Sequence, residues 1–570
     1  MEKRTLLAVV LSVIVISVGF MIQNMMYPPI EPDAVRTAPA PVDETSDSPA
    51  VPAPVRIGEI LPVPDDEAVE REILYHGTPT RPQMLDITFT TVGGAVTSIE
   101  LPRHRDGDRP VEMLIRSSED QSAFNIFFGG PEGTPTDVPF HYRTISEHVH
   151  EFYRDFYVAG SEEKPFTVIK RYTFHPQEYL FEISITVRNS VNEQLPLDPE
   201  RAYTLQFGPQ IGPPFTDLDG RNEFRRFHKY EDGRRRNVNV QNNRFVEETE
   251  RVGWAAIAGK YFTAIAIPDT TLYRIRYSAV APEGLSDAAS LYLTRPGIRS
   301  STNTDVFRFY IGPKITEALD PFNDGNNAFG IRNANLDAVV DSRPLLGWLE
   351  NILKFILQLI YRAVPNYGIA IIILTIIVKV ATIPLTNKSF QSTSRMQEIS
   401  PKINALKEKH KDNPTKMNQE MAALYKKEGV NPLGGCLPML LQFPFFIAMF
   451  GLFNNHFDLR GAQFIAGWIN DLSAPESIWD FGGMTIPLLG WNDLRLLPII
   501  FVGTQIISSR LMQNPGQTGG QMKMMQYAMP IVFFFILYNM PSGLLVYWIF
   551  SNVLQAGHQV YMNKIRQKKA

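Results

Sequence analysis

One charged residue lies deep within an apolar segment of this 570-residue chain. Lys379 comes eleven residues after Gly368 and nine before Lys388, so in a helix it lies roughly 13–16 Å from either end. A lysine at that depth in a membrane is costly, and by default it indicates a functional site beside a polar cavity. The alternatives are an ammonium group that reaches the membrane surface, or one that pairs with a structural acid. The other apolar segments contain no Asp or Glu for such a pair.

Uncharged polar residues in the other apolar segments are candidates to line the same cavity. Thr375 precedes Lys379 by one helical turn, so both share a face of the helix. The remaining candidates are Gln442, Thr504, Gln505, Ser508, Ser551, Asn552 and Gln555. Residues of this kind often serve only as hydrogen bonds between helices, and helix polarity alone does not show which of them face Lys379. Collectively they are consistent with a water-accessible groove around the lysine.

Six apolar segments supply the elements that would carry these residues across a bilayer. They are residues 6–22, 368–383, 437–453, 496–509, 525–538 and 544 to about 561. Lys3 and Arg4 precede the first segment, which is long for a signal core and is not closely followed by a small-residue cleavage site. We therefore expect residues 1–27 to be an uncleaved signal anchor, with a cleaved signal peptide as the alternative.

Basic residues are distributed unevenly between these segments. Residues 388–432 contain nine Lys or Arg and five acidic residues, whereas the loop 454–495 contains two basic and five acidic residues. Basic loops preferentially stay in the cytoplasm. The pattern therefore predicts six spans, with both termini and the 388–432 segment in the cytoplasm and residues 28–342 mainly outside it.

The region before the second span has the composition of a soluble protein. Residues 28–56 are rich in proline and acidic residues and are expected to form an extended linker. In residues 57–330, segments such as 181–188 have the period-2 pattern of half-buried strands, which predicts a large antiparallel β-sandwich. The polar stretch 217–251 is predicted to be a long surface loop. The single cysteine, Cys436, excludes a disulfide within the chain.

An amphipathic segment separates the β-rich region from the later apolar segments. In residues 343–362 a polar residue recurs every four positions among apolar ones, which predicts a helix that lies in the membrane interface. Residues 363–570 then form the membrane core, and residues 388–432 within it are predicted to be a cytoplasmic helical hairpin. The predicted fold class is therefore a polytopic α-helical membrane protein with six spans and a large outer antiparallel β-sandwich domain.

Three short motifs resemble those of one known family. Residues 431–438 (NPLGGCLP), followed by Gln442, resemble that family's motif at the start of the third span, and 468–473 (WINDLS) and 541–543 (PSG) resemble its later motifs. With this order and topology, residues 340–565 are closely similar to the YidC insertases, which are related to the insertases of mitochondria and chloroplasts. The β-rich region resembles the periplasmic domain of the Gram-negative form in position and strand character.

The resemblance implies a five-helix insertase core in the bacterial inner membrane, with a groove open to the cytoplasm and to lipid but closed to the outside. In that family a cation in the second span, usually arginine, receives the polar tail of a substrate. The matching residue here is Lys379, which keeps the charge and loses the planar fork of arginine. Thr375 matches an important threonine of the family, and Tyr547 and Trp548 match an aromatic pair that contacts substrate. The predicted groove and substrate-contact residues are Lys379, Thr375, Gln442, Gln505, Ser508, Tyr547, Trp548 and Asn552.

The partners that the resemblance implies are nascent membrane proteins, the ribosome, the Sec translocon and membrane lipids, with no direct small-molecule substrate. The cytoplasmic hairpin is implied to receive substrates, and the basic tail 564–570 to assist ribosome docking. We predict no enzymatic activity, cofactor or metal site, and the sequence has no GxxxxGK[ST] nucleotide motif. The net charge of −4 argues against general nucleic-acid binding.

Two alternative functions stay open at this stage. A transporter or channel predicts broken helices, paired charges at the midplane or inverted repeats, and the sequence displays none of these. A membrane-tethered periplasmic sugar-binding protein is the other alternative, since the family's outer domain resembles carbohydrate-binding sandwiches. His148 and His150 share a strand face beside Glu151. Two histidines are weak evidence for a metal site, and a solvated strand face is the expected explanation.

Overall fold

The computed structural model contains two compact units, one that ends at Ser342 and one that begins at Arg343 and continues to the C-terminus. The structure describes residues 58–569 except 66, 79–81, 107–108, 117, 119–120, 209–223, 282–288, 342–345, 411–412, 430–436, 483–485, 487–490 and 513–519. The predicted anchor (residues 1–27), the linker (28–56) and most of the first motif (431–436) lie outside the described residues.

The first unit is built mainly from antiparallel strands. Their bounds are β1 Ile60–Pro62, β2 Glu72–Tyr75, β3 Asp86–Thr90, β4 Ala95–Asp106, β5 Arg109–Glu112, β6 Ile126–Phe128, β7 Thr134–Pro135, β8 His141–Ser146, β9 Val149–Val158, β10 Phe166–Thr173, β11 Leu180–Asn189, β12 Tyr203–Phe207, β13 Arg226–Glu231, β14 Arg234–Val238, β15 Phe245–Glu248, β16 Trp254–Ala258, β17 Phe262–Ile267, β18 Arg274–Ser278, β19 Ser290–Arg295 and β20 Thr302–Pro313.

These strands form three sheets. The largest has the order β1-β9-β10-β11-β20-β17-β16-β13-β14, with β8 also paired to β9; the second has the order β15-β18-β19-β12-β6-β7, and the third β2-β3-β4-β5. The ring of Phe309 on β20 lies 4.8 Å from that of Phe124 and 5.1 Å from that of Phe207 on β12, measured between centroids. The two larger sheets therefore pack face to face, and the predicted antiparallel β-sandwich is confirmed.

Lys170, on β10, is a fully buried lysine in the interior of this domain. Its Nζ donates to the carbonyl oxygen of Gly93, at 3.3 Å, and to that of Phe124. Gly93 and Phe124 both have a φ of 63°, so the lysine joins two turns whose backbone is left-handed. Burial holds the pKa of Lys170 well below its usual value. Here a buried lysine has a structural role, so burial alone does not identify a functional cation.

The polar stretch 217–251 is not one long loop, and that prediction was wrong. Strands β13, β14 and β15 lie within it, although residues 209–223 lie outside the described part. Arg234 and Arg236 are exposed on β14, which pairs only with β13 at the end of the largest sheet. Charged side chains on an edge strand oppose pairing with another chain. They also remove the apolar alternation that identifies a half-buried strand, so the sequence of β14 resembles that of a loop.

The β domain also continues beyond residue 330, where the sequence analysis ended it. Two short helices, α1 (Thr316–Leu319) and α2 (Pro321–Asp324), and a 3-10 helix (Leu336–Val339) follow β20. Their buried apolar side chains pack in one cluster with Trp254 of β16. Beyond this cluster, the carboxylate of Asp341 lies 3.0 Å from Arg235 and 3.3 Å from Lys314.

The second unit is mainly helical. Its helices are α3 Gly347–Ala363, α4 Tyr367–Glu398, α5 Ser400–Lys409, α6 Pro414–Lys427, α7 Leu437–Asn455, α8 Leu497–Met512, α9 Gly520–Leu537 and α10 Ser542–Lys569. The loop between α7 and α8 contains a 3-10 helix (Phe457–Leu459) and a short hairpin of β21 (Trp479–Asp480) and β22 (Asp493–Leu494). Buried side chains from α3, α4, α7, α8, α9 and α10 form one apolar cluster.

Among the described residues, one helical segment is long and apolar enough to cross a membrane, Tyr367–Asn387 of α4. Three shorter apolar segments coincide with later predicted spans: Gln442–Asn454, Leu497–Leu511 and Ala528–Leu537. The second span of the sequence analysis is therefore present as an apolar helix, and the six-span count stays a prediction.

Helix α3 has two distinct apolar faces. Leu349, Leu353 and Leu357 are buried in the helical cluster. The other apolar face is exposed and consists of Trp348, Ile352, Phe355 and Leu359. On the polar side, Gln358 Nε2 lies 3.3 Å from His456 Nε2, just after α7. An exposed apolar face beside a packed one suits a helix that lies in the membrane interface, as predicted for residues 343–362.

The segment predicted as a hairpin, residues 388–432, begins inside a helix. Helix α4 continues past Lys388 to Glu398, with Pro384 in its interior. The composition becomes polar near residue 388, but backbone hydrogen bonds continue a helix regardless of side-chain polarity. Beyond it, α5 and α6 pack through a small cluster of Ile399, Ile403, Met421, Leu424 and Tyr425.

Candidate functional site

Lys379 bridges two helices of the bundle. Its Nζ donates to Oε1 of Gln555 on α10 at a distance of 3.2 Å, and the side chain is half-buried. In the described residues no carboxylate lies within ion-pair distance of this ammonium group, and the sequences of α7 to α10 contain no Asp or Glu. A buried cation is normally paired with an acid. The ammonium group of Lys379 instead has the neutral side chain of Gln555 as its partner between α4 and α10.

Polar groups of α10 continue along the same helix towards its N-terminus. Gln442 Nε2 on α7 donates to Ser551 Oγ at 3.1 Å. Asn552 is 6% exposed, yet its Nδ2 has no hydrogen-bond partner among the described residues, and neither has Oε1 of Gln505 on α8. Buried polar atoms are usually hydrogen-bonded. These unmet groups are consistent with a polar interior that receives water or a polar segment.

The hydroxyl groups on α4 and α8 bond locally. Thr375 is fully buried, and its Oγ1 donates to the carbonyl oxygen of Ile371 at 2.7 Å. Thr504 Oγ1 similarly donates to the carbonyl oxygen of Phe501 at 2.9 Å, and Ser508 is buried. Thr375 therefore precedes Lys379 on one helix face, as predicted, with its hydrogen bond directed to its own backbone.

The two aromatic candidates lie at the centre of the bundle. Trp548 has its ring centroid 4.5 Å from that of Phe446 on α7, 4.8 Å from Phe501 on α8 and 5.5 Å from Phe533 on α9. Tyr547 is 2% exposed and belongs to the same apolar cluster. Tyr547 is buried in this structure, so contact with a substrate requires the helices around it to separate, whereas Trp548 is only partly buried.

Two of the sequence motifs bond to each other at one end of the bundle. Ser542 Oγ donates to the Asp471 carbonyl oxygen at 2.6 Å, and the Ser542 and Gly543 N–H groups donate to the carbonyl oxygens of Ala474 and Leu472 at 2.8 and 3.0 Å. The first N–H groups of a helix lack partners within it. The α7–α8 loop supplies those partners for α10. A Cβ at Gly543 would lie 2.8 Å from Phe453 Cε1, so the fit also requires glycine.

Glu476 joins the same loop to α8, a contact that was not predicted from the sequence. This side chain is 4% exposed; it accepts hydrogen bonds from Trp468 Nε1 at 2.8 Å and from the Leu497 N–H at 2.7 Å. A carboxylate is favourable at a helix N-terminus. The sequence feature that could have indicated this contact is an acidic residue in an apolar-rich loop just before an apolar helix. Together with the α10 contacts, Glu476 closes this end of the bundle.

His150, one of the two histidines singled out in the sequence, lies in the interior of the β domain. His150 is buried, its Nδ1 lies 2.9 Å from Tyr142 Oη, and burial lowers the pKa of His150 to about 4. The expected solvated strand face was therefore wrong for His150. Among the residues that the structure describes, no group of three or more His, Cys, Asp or Glu is arranged to hold a metal ion.

Known proteins match this chain over both of its units. A family model described as the YidC periplasmic domain matches residues 81–359, and one described as the 60Kd inner membrane protein matches residues 359–569. The chain is 36% identical to the membrane protein insertase YidC of Treponema denticola and 33% identical to that of Treponema pallidum, with 100% of both chains aligned in each case. This chain belongs to the YidC insertase family.

Among solved structures, this YidC family member is matched to one titled "Active YidC insertase crystal structure with the first transmembrane domain resolved". The identity is 15% and the TM-score 0.34, over 89% of this chain and 95% of that one. A TM-score this low adds nothing to the assignment. Family membership agrees with inner-membrane localisation and with the β-sandwich as the YidC periplasmic domain.

Proposed function

We propose that this protein inserts and helps fold inner-membrane proteins through a polar groove around Lys379 that is open to the cytoplasm and to lipid. Membership of the YidC family supports insertion as the activity. The observation that supports the groove is the half-buried Lys379 ammonium group, which has a neutral hydrogen-bond partner and no acidic one among the described residues. Such a charge is costly to keep, so it is expected to serve the polar part of a substrate.

The physical task is to move a short polar segment across ~30 Å of hydrocarbon. A groove that brings water and positive charge part of the way shortens the apolar path. An acidic or polar tail then enters the groove while the emerging apolar span slides along α7 and α9. Burial of that span in lipid supplies the free energy, so no nucleotide is needed. Lys379, Gln505, Ser508 and Asn552 are the proposed polar contacts, and Tyr547 and Trp548 the aromatic ones.

The proposed topology has six spans, with both termini and the α5–α6 hairpin in the cytoplasm and the β domain in the periplasm. It is supported by the basic residues of 388–432 and of the C-terminal tail. Under this topology the end of the bundle joined by Glu476 and Ser542 faces the periplasm. The groove is then closed on that side, and the ribosome, the hairpin and substrates meet on the other.

Single-cysteine labelling tests this topology. With Cys436 replaced by alanine, Lys411→Cys is expected to react with a membrane-impermeant thiol reagent only after the inner membrane is opened. The control is Ser161→Cys, at an exposed position of the β domain, which is expected to react in intact spheroplasts. Equal labelling of both positions in intact spheroplasts contradicts the topology.

Removal of the β domain tests where the activity lies. The deletion should cover residues 58–341, because a deletion that ended at 330, the predicted end of the domain, would leave Leu336 and Val339 without the core that buries them. We expect insertion to persist without this domain. Deletion of α3 is expected to abolish insertion, because its buried leucines pack in the helical cluster with α4. The readout is protease protection of a newly made membrane protein in cells depleted of the native insertase.

The outcome of this deletion also separates the alternatives. A membrane-tethered periplasmic sugar-binding protein loses its function with residues 58–341, whereas an insertase retains it. If the shortened protein is stable and membrane-bound but inactive, the assignment of the insertion site to the helical unit is contradicted. We propose that the protein inserts substrates either alone or together with the Sec translocon. The same assay in cells depleted of the translocon distinguishes these two modes.

A further inference from the structure

The Lys379–Gln555 pair joins a charged donor to a group that has both a donor and an acceptor. Lys379 Nζ lies 3.2 Å from Gln555 Oε1. An ammonium group has three donors, and a glutamine amide has one carbonyl oxygen and one NH2 group. In the described residues Gln555 is the hydrogen-bond partner of this ammonium group. The ammonium group and the amide of Gln555 therefore both have N–H donors that this hydrogen bond does not use.

A lone lysine is a poor match for a carboxylate. It is a point charge on a flexible stem, whereas arginine presents a planar fork that bonds both carboxylate oxygens. Rotation of the Gln555 amide about its last bond exchanges Oε1 and Nε2. The amide NH2 group then lies beside the lysine ammonium group, and the two nitrogens can each donate to a different oxygen of one carboxylate.

We infer that Lys379 and Gln555 together form a two-point binding site for a side-chain carboxylate in the tail of a substrate protein. The inference rests on the proposed function and adds Gln555 as a second residue that contacts the acidic group of the substrate. Gln555 is a positioning residue for Lys379 before binding and a second donor once the carboxylate arrives. The pair thereby replaces the fork that Lys379 lacks.

The neutrality of Gln555 matters for this role. An acidic side chain at position 555 would form a resident ion pair with Lys379, and an entering carboxylate would then have to displace it. An amide satisfies one hydrogen bond of the lysine and leaves its charge uncompensated. Asn552 lies one helical turn before Gln555, and its buried Nδ2 has no partner among the described residues. A further amide donor therefore lies along the same helix.

The test compares two substrates that differ only in their tails, one with aspartates and one with asparagines at the same positions. Gln555→Met keeps the length of the side chain and removes both polar groups, and it is expected to lower insertion of the acidic tail about tenfold. The asparagine tail should be nearly unaffected. Gln555→Glu should lower insertion of the acidic tail at least as much, because it neutralises Lys379. Val553→Met, at an exposed position of α10, is the control and should leave insertion of both tails unchanged.

The decisive arm is Lys379→Arg. Arginine supplies both donors by itself, so Gln555→Met should have little effect in the Lys379→Arg background. A merely structural role of Gln555 predicts an equal loss for both tails and no rescue by arginine, and either result overturns the inference.

A separate variant, Lys379→Leu, distinguishes failure of the proposed groove from failure of the two-point site. If Lys379→Leu inserts acidic tails as well as wild type, the charged groove itself is wrong. If Lys379→Leu loses acidic tails while Gln555→Met does not, the groove stands and the two-point site is overturned. Protein levels are matched by immunoblotting in every arm.

Discussion

Lys379→Leu is expected to lose insertion of substrates with acidic tails, whereas Lys379→Arg retains it. A cation in a partly dehydrated groove is screened far less than one in bulk water, so its attraction for an acidic tail is strong. Loss of a hydrogen bond to a charged group costs about 1.5–3 kcal/mol, which corresponds to roughly 10–100-fold in rate. Substrates with short uncharged tails should be less affected, because the polar groups of α8 and α10 still hydrate the groove.

The measurement is membrane insertion of matched acidic and neutral tails by each variant at equal protein level. A lysine that merely extends to the membrane surface predicts the opposite result, since leucine would then be tolerated or would even stabilise the helix. Wild-type activity of Lys379→Leu on acidic tails contradicts the charged groove. The neutral-tail substrate is the internal control for folding of the variant.

Glu476→Ala is expected to destabilise the helical unit by about 2–4 kcal/mol, because two buried donors lose their acceptor. Those donors are Trp468 Nε1 and the Leu497 N–H at the start of α8. Glu476→Gln should have a smaller effect, since its amide oxygen still accepts one of the two hydrogen bonds. The expected observation is a lower unfolding temperature in detergent and earlier proteolysis within the α7–α8 loop.

Asp480→Ala provides a matched control for this prediction. Asp480 is an acid of the same loop, but it is exposed and accepts a local hydrogen bond from the Gly482 N–H at 2.9 Å. Its removal should change the unfolding temperature little. Equal unfolding temperatures for Glu476→Ala and Asp480→Ala would show that Glu476 does not hold the loop on α8.

Apolar runs and strand alternation predicted most elements of this fold because burial determines both patterns. The pattern of 181–188 recurs in β11, where Ile183, Ile185 and Val187 are buried. The last five apolar segments correspond to α4 and α7 to α10. Strand β14 was missed because it is an edge strand with exposed arginines, so neither face has an apolar pattern. The end of α4 was missed because polarity marks the proposed membrane boundary rather than the end of hydrogen bonding.

The site was only partly predictable for a different reason. The depth of Lys379 within an apolar run is visible in the sequence, and so is the lack of acids in the other runs. Its partner Gln555 is 176 residues away, and the pairing of α4 with α10 follows from helix packing. Glu476 similarly acts on a helix that begins 21 residues later. Periodicity shows which residues share a face, but not which helix that face meets.

The bonds between Ser542 and the α7–α8 loop also set an order of events during synthesis. Ser542 Oγ bonds to a carbonyl group 71 residues earlier in the chain, and at ~5–20 residues per second that interval takes roughly 4–14 s. Until α10 is synthesised, the carbonyl groups of Asp471, Leu472 and Ala474 lack the hydrogen-bond donors that this helix supplies. The helix that carries Gln555, Tyr547 and Trp548 therefore also completes the closed end of the bundle. Because Ser542 precedes Gln555 on α10, synthesis supplies the donors that close this end before it supplies the α10 residues of the proposed groove.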